Sequence, residues 1–194
     1  MKKTYNIADE YSIIVSEYPF HKELKKELIP LLENYPDEMG RRTVVQATMT
    51  NFFWGVNRKG KSDNKKLQRL LDCIVTEAYS HEDYLVPPWE GPRPSLFVKD
   101  CWANIYEKGD HTLPHHHQEY LMGFGFVYFL KTEWYHPPCV FTHSGKKIKA
   151  KEGTFVVFPN YLKHHVPKNR FKETRISLSG NLLIVFEEGK IKQP

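Results

Sequence analysis

No stretch of the chain approaches the roughly 18 consecutive apolar residues that a membrane-spanning helix needs. The amino terminus, Met1-Lys2-Lys3-Thr4-Tyr5-Asn6, lacks the apolar run of a secretory signal, so a cytoplasmic protein is expected. Cysteine is scarce: Cys73, Cys101 and Cys139 are odd in number, widely spaced and form no Cys-x-x-Cys, which excludes a disulfide scaffold and a thiolate zinc site. They read as small buried residues. Charge of one sign is also scarce, since 28 Lys and Arg against 23 Asp and Glu leave only +5. That is short of the basic stripe of a nucleic-acid binder, though it favours an anionic ligand. There is no repeat and no low-complexity tract. What remains, at 194 residues with 40% hydrophobic and 14% aromatic side chains, is enough for one domain with its own core.

Two stretches in the first half have helical periodicity. Leu24, Leu28, Leu31 and Leu32 recur at that spacing between Phe20 and Asn34. Leu67, Leu70, Leu71, Ile74, Val75 and Ala78 do so between Asn64 and Ser80, with Asp63 or Ser62 as the expected N-cap. Tyr11 to Val15 and Thr43 to Met49 are rich in β-branched residues and read as short strands. Residues 86–94 include four prolines among nine, which bars a continuous hydrogen-bonded element and predicts a connector. Beyond it the pattern changes to strands: Ser95 to Tyr106, Phe124 to Leu130, Val140 to Thr142, Lys147 to Ala150, Thr154 to Phe158 and Arg175 to Phe186. The expectation is a mainly β protein, an antiparallel sandwich or barrel over 95–188, supported by two helices from 1–94 within a single domain, 1–194.

Histidine is what the chain has in excess. Of ten, eight lie in the 55 residues from His111 to His165. On an extended strand His115 and His117 face one side and His116 the other, which suits two ligands of one metal, with iron, copper, nickel or zinc all compatible with imidazole. Residues 160–166, Asn-Tyr-Leu-Lys-His-His-Val, supply a third ligand in His164, 49 residues after His115. A lone His-x-His also arises in surface loops, so the reading leans on its company. Arg175 and Ser177 share a strand face and could hold a carboxylate; an arginine heading an apolar strand needs either an anion or an open mouth. His111, His165, His136 and His143 read as second neighbours or structural residues. The lysine run 146–151 reads as a solvated sheet edge, and Asn51-Phe52-Phe53-Trp54 as either helix-to-sheet packing or the wall of a cleft.

These residues resemble a known family, the Fe(II)- and 2-oxoglutarate-dependent oxygenases, in particular the prolyl-4-hydroxylase-like branch and similar oxygenases of bacteria and tailed phages with His-x-His. The likeness runs from about Asp100 to Ile184. Tyr106-Glu107-Lys108-Gly109, a five-residue gap and His115-His116-His117 look like the family's Tyr-x-x-Gly and His-x-Asp. Gly153 to Pro159 resembles the strand before the distal histidine, His164, and Arg175-Ile176-Ser177 resembles the Arg-x-Ser that binds the cosubstrate's far carboxylate.

The resemblance implies a double-stranded β-helix (jelly-roll, cupin-like) with the helices on its major sheet. It implies Fe(II) on His115, His117 and His164, and 2-oxoglutarate on Arg175 and Ser177. Thr112 stands where prolyl hydroxylases have a tyrosine, so Tyr106 or Tyr128 is expected to touch the cosubstrate. The implied reaction hydroxylates a small-molecule or peptide substrate with O2, releasing succinate and CO2, with ascorbate as accessory; a homodimer is compatible with it. His117 departs from the family, whose second ligand is a carboxylate, and Glu119 is the competing residue. The alternatives are a cupin-type three-histidine metal protein acting as a dioxygenase or isomerase without 2-oxoglutarate, and a non-catalytic member of the fold.

Overall fold

The computed structural model describes residues 3–7, 11–80, 94–117 and 123–185. Glu119 and, apart from Pro94, the proline-rich connector lie outside them. In chain order the elements are β1 (Lys3–Ile7), β2 (Tyr11–Glu17), α1 (His21–Leu32), a 3-10 turn (Gly40–Arg42), β3 (Val45–Gln46), β4 (Thr48–Met49), α2 (Lys65–Tyr79), β5 (Ser95–Tyr106), β6 (His111–His115), β7 (Gly123–Lys131), β8 (Cys139–Phe141), β9 (Lys147–Ile148), β10 (Thr154–Pro159), β11 (His164–Val166) and β12 (Arg175–Val185).

The strands form two antiparallel sheets. The larger has the order β1-β2-β10-β7-β12-β5-β4 and the smaller β3-β6-β11-β8-β9. Both helices pack on the larger sheet: α1 meets β7, and α2 meets β2, β5 and β10. Each does so through one stripe, Leu24, Leu28 and Leu32 on α1, and Leu67, Leu70, Leu71, Ile74 and Ala78 on α2. Leu31 is not part of its stripe and is 56% exposed. The N-cap of α2 is Asn64, not Asp63 or Ser62. Its side-chain oxygen accepts from the backbone N–H of Lys66 and Leu67, both at 3.0 Å, the standard N-cap arrangement.

The segment expected as one strand from Thr43 to Met49 is two. β3 pairs with β6 of the small sheet and β4 with β5 of the large one, so the chain changes sheets at the fully buried Ala47. The short strands β1, β6 and β11 escape a propensity reading because their pairing partners, not their own composition, hold them in place. β9 is an edge of the small sheet, with exposed Lys147 and Lys149 flanking the buried Ile148, as expected of the lysine run.

Strand alternation sorts the core into two layers. On β12, Ile176, Leu178 and Leu182 join the helices' core together with Cys101, Ala103 and Ile105 of β5 and Phe126, Tyr128 and Leu130 of β7. The opposite parity supplies a second core of Phe129, Val156 and Phe158 with Cys139, Phe141 and Ile148 of the small sheet. It also supplies the polar series Arg175, Ser177, Ser179 and Asn181, all buried.

Candidate functional site

The 49-position separation of His115 and His164 is closed by sheet pairing: the two are direct partners across β6 and β11. His117 lies just beyond β6, where its backbone N–H donates to the Asn160 carbonyl at 2.8 Å. The result is one group of imidazoles in which a ring nitrogen of each of His115, His117 and His164 lies within 4.8 Å of the others. The rings of His115 and His117 stack at 5.1 Å, and that of His164 is 4.3 Å from His115.

The other ring nitrogen of each is committed. Nδ1–H of His115 donates to the Leu113 carbonyl at 2.9 Å, and that of His164 to the Leu162 carbonyl at 3.0 Å. His117 Nδ1–H donates to the Asn181 side-chain carbonyl. Because carbonyl oxygens only accept, all three protons sit on Nδ1 and the lone pair of each ring sits on Nε2. Electrostatics keep His115 and His164 neutral. Burial and the neighbouring His117 push His115 down to about 4. Burial, then His115 and His117, hold His164 well below its ordinary range. Three imidazoles grouped in this way are a donor set fit for a divalent transition metal.

Arg175 occupies the other end of the same space. It is completely buried, and none of Nε, Nη1 and Nη2 has a hydrogen-bond partner among the described residues. Its guanidinium carbon lies 4.7 Å over the Tyr106 ring and 5.5 Å from that of Phe129. Burial, its largest influence, lowers its pKa, yet an arginine stays charged in proteins. An unpaired buried cation of this kind costs several kcal/mol unless an anion joins it. Trp102 Nε1 is a further buried donor without a partner among the described residues.

The inner cavity between Arg175 and the histidines is lined by Tyr106, Thr112, Ser177, Ser179, Trp102 and Asn104 among others, and among its described lining residues there is no Asp or Glu. Its open volume of about 30 Å³ is enough for about two waters. A second cavity of about 320 Å³ adjoins it on the far side of His115, His117 and Trp102, walled by Val44, Met49, Phe52 and Phe53.

Of the residues singled out in the sequence, His115, His117, His164, Arg175, Ser177 and Tyr106 thus face one space. Tyr128 does not. Its position in β7 has the parity of Phe126 and Leu130, which turns it toward the helices, where its hydroxyl bonds His21 Nδ1 at 2.6 Å. Tyr106 is held at the cavity by a 2.8 Å hydrogen bond between its hydroxyl and that of Thr112. His136 is buried and structural, with Nε2 3.0 Å from the Glu173 carbonyl. Phe52 and Phe53 wall the outer cavity while Trp54 packs against the helix-side core, so both expectations for that run hold in part. Asp100 and Asn181, which back His117, are not marked as site residues by the sequence. The alternation Arg175, Ser177, Ser179, Asn181 is a readable signal for Asn181; Asp100 has none.

Comparison with known proteins places this geometry in context. The model of a family described as "Putative 2OG-Fe(II) oxygenase" matches residues 141–181, the part carrying His164, Arg175, Ser177 and Asn181. No curated protein matches the sequence. Among solved structures, a prolyl-4-hydroxylase of Pseudomonas putida superposes with a TM-score of 0.60 at 14% identity, covering 90% of this chain and 92% of that one. The viral collagen prolyl hydroxylase of Paramecium bursaria Chlorella virus-1, in complex with 2-oxoglutarate, gives 0.57 at 14%, covering 90% and 96%. A 2OG-Fe(II) oxygenase family oxidoreductase of Burkholderia pseudomallei gives 0.57 at 17%, covering 88% and 84%. The chain therefore has the fold of the prolyl-hydroxylase-like 2OG-Fe(II) oxygenases and, over residues 141–181, matches a model of a 2OG-Fe(II) oxygenase family.

Proposed function

We propose that this protein is an Fe(II)- and 2-oxoglutarate-dependent dioxygenase that hydroxylates a C–H bond of its substrate. The observation that carries the reading is a single buried space with two complementary demands: three Nε2 lone pairs at one end and an unpaired guanidinium at the other. A metal ion answers the first and a carboxylate the second, and a short dicarboxylate answers both at once. On this reading the two sheets are the walls of a double-stranded β-helix within one oxygenase domain.

His115, His117 and His164 hold the metal, and Arg175 with Ser177 holds the far carboxylate of 2-oxoglutarate. Tyr106 supports Arg175 through its ring face and through the electrostatic influence of its hydroxyl, which also bonds Thr112. The iron, when bound with 2-oxoglutarate, supplies O2 activation coupled to loss of CO2 and formation of succinate. The chain's own residues bind and orient, and the apolar walls Val127 and Val166 keep water from the reacting atoms. The substrate is expected in the larger outer cavity, which reaches His115 and His117. The inner cavity, at about 30 Å³, is smaller than a five-carbon dicarboxylate needs, so the reading requires its lining side chains to make room when 2-oxoglutarate enters.

The donor set also favours a second reading, a three-histidine metal protein working without 2-oxoglutarate, because no carboxylate joins the imidazoles among the described residues. Thermal stability with Fe(II) or Co(II), alone and with N-oxalylglycine, separates the two. Added stabilisation by the dicarboxylate, lost in Arg175→Met, supports the first. Metal-only stabilisation supports the second, and no metal response at all supports a non-catalytic protein. Succinate release with Fe(II), O2 and a substrate library then tests turnover, which should vanish in His164→Ala.

A further inference from the structure

His115 and His164 each fix their proton locally, on the carbonyl two residues before them in the chain. His117 lacks that device. It has left β6, and its Nδ1–H is directed instead at the side-chain carbonyl of Asn181, 64 residues away. An asparagine amide is ambiguous in this task. With its oxygen toward His117 it places the imidazole proton on Nδ1 and the lone pair on Nε2. With its nitrogen there it would do the reverse, putting the proton on Nε2 and facing N–H at the other two histidines.

Asp100 removes the ambiguity. Its Oδ1 lies 2.7 Å from Asn181 Nδ2 and 2.9 Å from the Asn181 backbone N–H. Asp100 and Asn181 are register partners across β5 and β12, 3% and 5% exposed. An ionised carboxylate only accepts, so the amide must turn its NH2 to Asp100 and its oxygen to His117. The neighbouring Gly180 lets the strands close: a Cβ there would stand 2.3 Å from the Asp100 backbone oxygen.

We propose that Asp100, acting through Asn181, is a positioning residue that sets the tautomer of His117, so that an imidazole can serve where the family's carboxylate is expected. The inference rests on the metal-site reading for its purpose, but the tautomer itself does not need a metal. The anionic charge that the second ligand would have brought is present one amide further out, polarising the Asn181 carbonyl toward His117.

The test is imidazole 15N NMR on the metal-free protein combined with anaerobic Co(II) titration followed by visible absorption. In wild type, His117 should be the Nδ1–H tautomer; in Asp100→Asn, whose side chain can face Asn181 with either end, it should become a mixture. Co(II) affinity should fall about 10- to 100-fold in that variant. In a His117→Asp background, where a carboxylate oxygen has no tautomer to set, Asp100→Asn should change Co(II) affinity by less than about threefold, well under that range. Should Asp100→Asn fail to fold, Asn181→Ser removes the bridging carbonyl while leaving Asp100 its backbone donor, and the same shift is expected.

A wild-type His117 protonated on Nε2, or a tautomer unmoved in both variants, overturns the proposal. So does an equal loss of Co(II) affinity in the wild-type and His117→Asp backgrounds, which would mean that Asp100 acts through the fold at large. A correct tautomer and its expected shift, in a protein that binds no Co(II), would uphold the relay and sink the metal-site reading instead.

Discussion

The guanidinium of Arg175 rests 4.7 Å above the ring of Tyr106, its register partner across β12 and β5, with no acceptor for any of its three nitrogens among the described residues. The ring face offsets only part of the cost of burying the charge, since cation–π attraction is worth about 2 kcal/mol when desolvated. Arg175→Met should therefore raise the melting temperature of the ligand-free protein while abolishing stabilisation by 2-oxoglutarate. A fall in melting temperature would show that the arginine is already satisfied.

Metal and dicarboxylate should bind cooperatively. The described lining of the inner cavity contains no carboxylate, so a divalent ion would meet three neutral imidazoles and the positive Arg175. A dianion relieves both excesses of positive charge. Co(II) affinity measured by calorimetry should rise about tenfold or more with saturating N-oxalylglycine, and N-oxalylglycine affinity should rise by the same factor with Co(II), as linkage demands. Independent binding would contradict the shared site.

Acid should destabilise the metal-free protein through its histidines. His115 is held down at about 4 and His164 well below its ordinary value, whereas an unfolded histidine titrates near 6.5. Between those values the unfolded chain binds more protons than the folded one. Stability is thus fully present above about pH 6.5 and declines as pH falls toward 4, by at most about 1.4 kcal/mol per pH unit for each histidine. Urea midpoints at pH 7 and pH 5 check this, and His115→Asn should show a shallower decline.

Tyr128 should matter to stability and not to the site. Its hydroxyl is shared with His21, whose Nε2 lies 3.2 Å from Glu152, in a network on the helix side of β7. Tyr128→Phe should cost about 1 kcal/mol of unfolding free energy and leave Co(II) and N-oxalylglycine affinities unchanged. A loss of N-oxalylglycine binding would return Tyr128 to the cosubstrate pocket.

Gly180 should be intolerant of any side chain. A Cβ would lie 2.3 Å from the Asp100 oxygen and 2.5 Å from the Phe126 ring, the first of which is backbone and cannot turn aside. Gly180→Ala should cost about 1–3 kcal/mol or more, read from chemical denaturation, and weaken Co(II) binding by displacing Asp100 from Asn181.

Local pattern alone determined a good deal of this protein. The stripes of α1 and α2 are legible because leucines at helical spacing have one use, and β5, β7, β10 and β12 because long runs of β-branched and aromatic residues bury on both faces. The clustering of histidines, and the shared parity of Arg175 and Ser177, are likewise properties of the chain as written.

Tertiary structure decided the rest. Only the pairing of β6 with β11 brings His164 against His115, since a partner 49 residues away leaves no trace in local periodicity. Which face of β7 meets the site could not be read from a run apolar on both sides, and that is why Tyr128, expected in the cavity, lies with the helices. Asp100 was invisible for the same reason. Its significance comes from standing across from Asn181, which stands before His117, and a hydrogen-bond chain through three separate strands and loops exists only once they are folded together.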